Sequence, residues 1–170
     1  DRIVINELAQ DYDHNYRKLV TWFSAAEKAE YVILDTEYVT ALNKKITLIG
    51  MLYEDTQGIH GLQYPFATDG AMAGLRGLFV ERLAHLIRTT PIVGQNTVLA
   101  DVDCIERNWG IPLSDYAKVH DIMLMHHNLW AELPHSLSFL DSIYSPYPNL
   151  KPLGDDKIPI KTRIEYVKYL

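Results

Sequence analysis

The chain has 170 residues, of which 48% are hydrophobic, and its formal net charge is −6 at pH 7. This size and composition fit one globular domain spanning residues 1–170, and no apolar run reaches the roughly 18 residues that a membrane-spanning helix needs. The acidic balance argues against a protein that holds nucleic acid by a broad basic face. The single cysteine, Cys104, excludes an internal disulfide.

A reducing compartment therefore fits best. We expect the cytoplasm of a bacterial or phage-infected cell, or an organelle if the protein is eukaryotic. Because the chain begins with Asp1 rather than Met, we also expect it to be a piece of a longer protein.

The hydrophobic pattern of the first half predicts one helix and three strands. A helix is expected over residues 15–30, and the apolar run at 31–34 is typical of a short strand buried on both faces. Two further strands are expected at 45–53 and 58–64, with turn residues between them. Three consecutive strands predict an antiparallel meander.

The second half is predicted to be mostly helical. The expected elements are a helix at about 71–90, a strand at 91–94 and helices at about 101–109, 121–130 and 136–144. Gly110 is expected to end the first of these last three helices, and Asp121 and Ser136 are expected to cap the other two. The strand after the long helix predicts a parallel addition to the sheet. The expected fold class is α/β, a mixed sheet with helices packed on it.

Two carboxylates, Asp35 and Glu37, end the apolar run at 31–34. Their spacing of two residues puts both side chains on one face of a strand. Two ionised groups at the end of a buried strand repel each other and lose solvation, and a divalent cation offsets both costs. Mg²⁺ favours carboxylate and water oxygens as ligands. The alternative is a strand that simply leaves the core at Asp35.

A third carboxylate, Asp101, follows the next strand end, at Gly94-Gln95-Asn96. In layered α/β sheets the carboxyl ends of the strands border the crevice where ligands bind. Asp101 can therefore meet Asp35 and Glu37 and complete a two-metal site, with Asn96 fixing the loop through its amide. Alternatively, Asp101 is an ordinary acid in the first turn of a helix, where it complements the helix dipole.

These segments resemble the motifs of DnaQ-like 3′–5′ exonuclease domains of the DEDD superfamily, in the branch with a tyrosine in its third motif. Residues 35–37 resemble the first motif, and Gly94-Gln95-Asn96 with Asp101 resembles the second. His120-Asp121 and residues 133–137 are similar to the stretch that follows. The similarity is closest to the proofreading domains of family A DNA polymerases, including phage-type ones, and covers nearly the whole chain.

The resemblance implies a ribonuclease-H-like fold and two Mg²⁺ or Mn²⁺ ions held by Asp35, Glu37 and Asp101. It also implies release of nucleoside monophosphates from a single-stranded or frayed DNA 3′ end, with an adjoining polymerase domain as partner. The residues expected to bind the substrate are Thr36, Tyr38, Leu42, Gln95 and Asn96. Tyr38 and Leu42 are expected to stack on the terminal base or wedge against it.

The second motif departs from the family pattern at two points. Ala100 stands where the family usually has an aromatic residue, and the interval from Asn96 to Asp101 is one residue longer than in the closest family A examples, though family B polymerases share it. Asp103 is the alternative ligand. It lies about 200° from Asp101 on a helix, so the two cannot share the role. Asp101 is preferred because it keeps the usual spacing to the residues that follow.

The third motif of the family supplies a fourth metal-site carboxylate, and no candidate with the family spacing follows Asp101. The chain ends in a helical pattern with no capping residue, so we expect the domain to be truncated there. Tyr169, or failing that Tyr166, is expected to be the tyrosine that orients the attacking water, although both are equally plausible as packing aromatics. Asp155 and Asp156 are less favoured sources of the fourth acid.

Two other functions fit the same sequence. One is an RNase D-like exonuclease that acts on RNA with the same fold and metals, since nothing in the sequence reads a 2′-hydroxyl. The other is a binding or structural domain that has lost its site with the fourth acid. Three histidines are interpreted as structural, because His126 and His127 point apart on a helix and His135 lies in a loop that opens the next helix.

Overall fold

The fold was obtained as a computed structural model, which describes residues 3–6, 11–66 and 71–145, with the backbone alone described for 3–6 and 71–72. The chain forms two compact units, Asp1–Met125 and His126–Leu170. Within the described ranges, no helix is long and apolar enough to cross a membrane.

The described part of the first unit contains a six-stranded mixed sheet with strand order β1-β4-β3-β2-β5-β6. Its strands are β1 (Ile3–Asn6), β2 (Val32–Val39), β3 (Lys45–Asp55), β4 (Gly58–Pro65), β5 (Ile92–Gly94) and β6 (Val119–Asp121). The three central strands β2, β3 and β4 pair antiparallel, as the meander prediction required. The outer pairs β1–β4, β2–β5 and β5–β6 are parallel.

Among its described residues, four α-helices lie wholly in this unit: α1 (Tyr12–Ala26), α2 (Ala71–Gly74), α3 (Arg76–Thr89) and α4 (Asp103–Trp109). Helix α1 begins where the side chain of Asp11 accepts hydrogen bonds from the first-turn amides, and α4 ends at Gly110, whose φ of 67° favours glycine. A fifth helix, α5 (Ile122–Leu129), begins in this unit and ends in the second.

The hydrophobic core joins one face of the sheet to α1 and α3. Helix α1 contributes Leu19 and Phe23, and α3 contributes Phe79 and Leu83, all fully buried. Side chains alternate between the two faces of a strand, so the even-numbered residues of β2 enter this core and the odd-numbered ones lie on the other face. The face of β2 that points away from the core carries Ile33, Asp35 and Glu37.

The α/β mixed-sheet prediction is confirmed, but one strand and one helix need correction and two strands were not predicted. Strand β2 continues to Val39, because β3 pairs with it as far as Lys45, so Asp35 and Glu37 lie inside the strand instead of at its end. The long helix predicted at 71–90 is interrupted at the fully buried Leu75. Strands β1 and β6 were not predicted, since each has only three or four residues and shows no clear alternation.

The described part of the second unit contains the end of α5 and helix α6 (Leu137–Tyr144). The Ser136 hydroxyl accepts a hydrogen bond from the Phe139 amide at 3.3 Å, which confirms the predicted cap of α6. The predicted C-terminal helix lies outside the described residues, as do the residues proposed there: Asp155, Asp156, Tyr166 and Tyr169.

Candidate active site

Asp35 and Glu37 form a pair of carboxylates on the open face of β2, where both side chains are exposed. A bulge in the pairing of β2 with β3 follows directly, between Glu37 and Tyr38. Although Asp35 retains access to solvent, surrounding protein atoms displace enough water to raise the pKa of its carboxyl, and the negative charge of Glu37 raises it further. An acid whose ionisation is disfavoured by burial and by a neighbouring negative charge is an arrangement that a bound cation would relieve.

Asp101 is buried against Thr36, with 3% of its surface exposed. Its Oδ1 accepts hydrogen bonds from the Thr36 backbone N–H at 2.9 Å and from the Thr36 hydroxyl at 2.6 Å. Burial raises the pKa of Asp101 to about 6, with the charge of Asp35 contributing in the same direction and the Thr36 hydroxyl opposing it. The Thr36 side chain lies on the core face of β2, opposite Asp35 and Glu37, so these bonds hold Asp101 against β2 close enough for the charge of Asp35 to act on it.

A π-helical turn, Val98–Val102, carries Asp101 and leads into α4. Its defining bond runs from the Val102 N–H to the Thr97 carbonyl, five residues back, at 2.9 Å. A π turn holds one more residue than an α turn. The predicted helix at about 101–109 is therefore α-helical only from Asp103, and the turn accommodates the long interval between Asn96 and Asp101.

The loop before this turn is held by tight packing at Gly94. A Cβ placed on Gly94 would overlap the Thr97 hydroxyl and lie 2.8 Å from the Leu34 carbonyl oxygen, so β5 can approach β2 this closely only with glycine here. Two residues later, Asn96 has a φ of 59°, in the left-handed region that few residues other than glycine adopt.

Asp103, the alternative ligand, faces a different set of partners. Its Oδ2 accepts from Lys44 Nζ at 2.7 Å and its Oδ1 accepts from Arg107 Nε at 2.8 Å. These two cations hold the pKa of Asp103 below its usual range, with the Lys44 hydrogen bond as the largest cause. The structure therefore brings Asp101 to Asp35, and commits Asp103 to the turn at Lys44.

The residues predicted to bind substrate fall in different places. Thr36 is buried against Asp101, and Tyr38 packs against the core with Lys44 Nζ 5.5 Å from its ring centroid. Leu42 is 60% exposed in a short 3-10 turn, while Gln95 and Asn96 are half-buried in the loop after β5. Tyr38 thus lies on the core side of β2, opposite Glu37, whereas Leu42 is open to solvent.

The donor chemistry of the site fits a hard divalent cation, because the acids offer only oxygen ligands. Within the described ranges, however, no three His, Cys, Asp or Glu side chains are arranged so that they could hold one metal ion. One oxygen of Asp101 is turned to Thr36 and away from the exposed pair. Asp35 interacts electrostatically with Glu37 and with Asp101, and the role of the three acids as metal ligands stays a prediction.

Sequence reasoning missed two residues that shape this site. Asp121 was predicted only as a helix cap, yet its carboxylate also holds the loop that precedes Asp101. Lys44 was not singled out, and it ties the turn after β2 to α4 through Asp103. A buried acid at a strand end was the available signal for Asp121, whereas no sequence pattern indicated the pairing of Lys44 with a residue 59 positions away.

In the second unit, the ring of His135 hydrogen-bonds to the rings of His126 and His127. Its Nδ1 lies 2.8 Å from Nδ1 of His126, and its Nε2 lies 3.0 Å from Nδ1 of His127. Because His135 presents a different nitrogen to each partner, the three rings form a hydrogen-bonded chain and do not converge on one point. The expectation that His126 and His127 point apart missed this shared partner.

Comparison with solved structures identifies proteins of the same fold. Escherichia coli RNase D, an exoribonuclease involved in structured RNA processing, superposes with a TM-score of 0.57 at 14% identity, covering 98% of this chain and 40% of that one. The catalytic core of RRP6 from Trypanosoma brucei superposes with a TM-score of 0.55 at 12% identity, covering 86% of this chain and 36% of that one. The Aedes aegypti Nibbler EXO domain superposes with a TM-score of 0.52 at 11% identity, covering 78% of this chain and 66% of that one.

At these identities the similarity establishes the fold alone, and this chain has the ribonuclease-H-like fold of those exonuclease domains. It spans less than two thirds of the length of each of the three chains. No protein-family profile matches the sequence, and no curated protein matches it. The resemblance to polymerase proofreading domains therefore remains a prediction from the sequence motifs.

Proposed function

We propose that this chain is a metal-dependent 3′–5′ exonuclease that hydrolyses phosphodiester bonds at the 3′ end of a nucleic acid and releases nucleoside monophosphates. The observation that carries the proposal is the placement of Asp101 against Thr36, the residue between the exposed acids Asp35 and Glu37 in the sequence, where the charge of Asp35 acts on it. The shared fold with exonuclease domains supports it.

Asp35, Glu37 and Asp101 are the residues that would hold two Mg²⁺ or Mn²⁺ ions. When bound, such ions activate water and stabilise the leaving 3′ oxygen. The chain itself contributes the positions of the acids: β2 presents Asp35 and Glu37 to solvent, and Thr36 fixes one oxygen of Asp101. The backbone of Glu37 is further held by β3, since its carbonyl accepts from the Thr47 hydroxyl at 3.0 Å.

The remaining parts of the proposed site come from the sequence resemblance. Tyr169 is proposed to orient the attacking water, and a fourth carboxylate is proposed to complete the metal ligands. An adjoining polymerase domain is proposed to supply much of the affinity for substrate, in keeping with the net charge of −6.

DNA and RNA are both candidate substrates. The motifs resemble those of proofreading domains and favour DNA, whereas the fold is also that of RNase D, an exoribonuclease, which favours RNA. Matched single-stranded DNA and RNA oligonucleotides, labelled at the 5′ end and incubated with Mg²⁺ or Mn²⁺, distinguish them. A ladder of products shortened from the 3′ end on only one of the two identifies the substrate. A folded chain that digests neither favours the inert binding domain.

Substitution of the acids tests the site directly. Asp35→Ala and Asp101→Asn should each lower the digestion rate at least about 100-fold, because each disturbs the geometry that a two-metal reaction requires. Asp103→Asn is the matched control, since Asp103 lies on the same segment but pairs with Lys44 and Arg107. It should retain most of the activity. Unchanged hydrolysis by a folded Asp35→Ala protein would assign the activity to another site.

A further inference from the structure

Four backbone N–H groups converge on the carboxylate of Asp121, a residue that is 4% exposed. Two of them, from Met123 at 3.0 Å and Leu124 at 3.3 Å, belong to the first turn of α5 and donate to Oδ1. This is the geometry of an ordinary helix cap. A cap needs nothing more, so the other two contacts require a separate explanation.

The other two donors lie in the loop after β5. The Asn96 N–H donates to Oδ1 of Asp121 and the Val98 N–H donates to Oδ2, both at 3.0 Å. Asp121 is also the partner of Gly94 in the parallel pairing of β5 with β6. The Asp121 side chain thus fixes both ends of the segment 96–98, which begins at Asn96 with its φ of 59°.

This segment supplies the acceptors on which the turn carrying Asp101 is built. The Ala100 N–H donates to the Asn96 carbonyl at 3.0 Å, and the Val102 N–H donates to the Thr97 carbonyl at 2.9 Å. A shift of the segment would therefore move the turn, and with it the carboxylate that reaches Thr36.

We infer that Asp121 is a positioning residue: it holds the loop on which the turn carrying Asp101 is built, and it acts on Asp101 through that loop without touching the substrate. The inference rests on the proposed exonuclease function for its effect on rate, and on geometry alone for its effect on the turn. Its consequence is that loss of the loop contacts should lower the catalytic rate even where the cap of α5 is retained.

Two substitutions separate the roles of Asp121. Serine is as good a helix cap as aspartate, but its single short hydroxyl cannot also reach Asn96 and Val98. Asparagine can keep the three contacts of Oδ1 while it turns an amide NH₂ toward the Val98 N–H, so it should lose one contact only. Asp11→Ser is the matched control, because Asp11 caps α1 through Asp13 and His14 and does not contact the loop.

The experiment measures two quantities on the full 170-residue chain and these variants: hydrogen exchange of the Ala100 and Val102 amides without substrate, and kcat and KM for the preferred oligonucleotide. In Asp121→Ser, exchange at both amides should be roughly tenfold faster, the effect of losing about one net hydrogen bond. The kcat should fall by about 100-fold while KM changes little, because the acid is misplaced and the substrate contacts are not. Asp121→Asn should fall between Asp121→Ser and wild type, and Asp11→Ser should match wild type.

Unchanged exchange at Ala100 and Val102 in a folded Asp121→Ser protein overturns the inference, and so does faster exchange with an unchanged kcat. If Asp121→Ser does not fold, Asp121→Asn decides by the same two criteria. If the wild-type chain digests no nucleic acid, the proposed function fails, while the exchange comparison still decides whether Asp121 holds the turn.

Discussion

At the scale of single residues, the candidate site depends on how a buried carboxyl is tolerated. Asp101 is almost fully buried, and its two short hydrogen bonds from Thr36 offset only part of the cost of ionising it there. Burial of this kind makes the neutral form of a carboxyl easier to populate, which raises its pKa. The pH dependence of stability should therefore report directly on Asp101.

The pKa of about 6 for Asp101 lies above its ordinary value of 3.8. The folded state thus binds this proton more tightly than the unfolded state does, and the resulting stability is fully present below pH 3.8 and is lost as the pH rises to about 6. In a chelator-containing buffer, the free energy of unfolding of wild type relative to Asp101→Asn should fall between pH 4 and pH 7, by up to about 3 kcal/mol.

Urea unfolding at several pH values measures this difference, and comparison with Asp101→Asn cancels the titration of the groups that both proteins share. A difference that stays constant from pH 4 to pH 7 would show that Asp101 has an ordinary pKa in the folded protein.

The sequence predicted the shared face of Asp35 and Glu37, whereas the convergence of Asp101 with them on one metal stays a prediction. Asp35 and Glu37 share a face because strand geometry requires it, and Asp101 was placed by the general position of strand ends in α/β sheets. The bonds from Thr36 to Asp101 join residues 65 positions apart, and no local pattern encodes such a pair. The same limit applies to Asp121, whose loop contacts span 23 and 25 positions.

At the scale of elements, the approach of β5 to β2 sets the position of the whole second motif. Gly94→Ala would place a methyl group against the Leu34 carbonyl and the Thr97 hydroxyl. We expect the free energy of unfolding to fall by about 1–3 kcal/mol, because a backbone oxygen cannot move aside as a flexible side chain does. Gly77→Ala in α3 is the control, since a Cβ there meets nothing within 4 Å.

Chemical denaturation of the two variants provides the measurement. Gly77→Ala should leave the stability unchanged or increase it by less than about 1 kcal/mol, because alanine is the better helix former. Equal stability of the two variants would mean that β5 can move away from β2 without cost.

Helices and strands whose apolar residues repeat regularly were predicted from the sequence. Strands that are defined only by their pairing with a neighbouring strand were not. Helix α1 and the meander of β2, β3 and β4 appear close to where the pattern placed them, because their apolar residues repeat over many positions. Strand β6 has three residues, and its strand character comes from its parallel pairing with β5. The extension of β2 past Leu34 likewise depends on β3, which pairs with it up to Val39.

At the scale of the whole molecule, the balance of 16 basic and 22 acidic residues limits how nucleic acid can bind. A protein that neutralises many phosphates loses affinity steeply as salt is added, since bound counterions are released. Among the residues that the structure describes, Lys44 near the site is committed to Asp103. For the proposed exonuclease, KM should therefore rise less than about tenfold when salt increases from 50 to 200 mM.

Initial rates on a labelled single strand at fixed Mg²⁺ test this expectation. A rise in KM of several hundredfold would reveal a basic binding surface that the net charge conceals.

The π-helical turn at Val98–Val102 bears on how this chain should be matched to others. Because the turn absorbs one extra residue, a homologue that lacks this residue can keep the same strand, the same α4 and an acid in the same place. If such a homologue is aligned with this chain without a gap at this turn, Asp101 is paired with the wrong residue, one position away from the acid that corresponds to it. The insertion is exposed at Leu99, whose side chain is 65% accessible, so its gain or loss disturbs little packing. Length variation at this point is a neutral change in the fold that nevertheless hides the motif from comparisons based on fixed spacing.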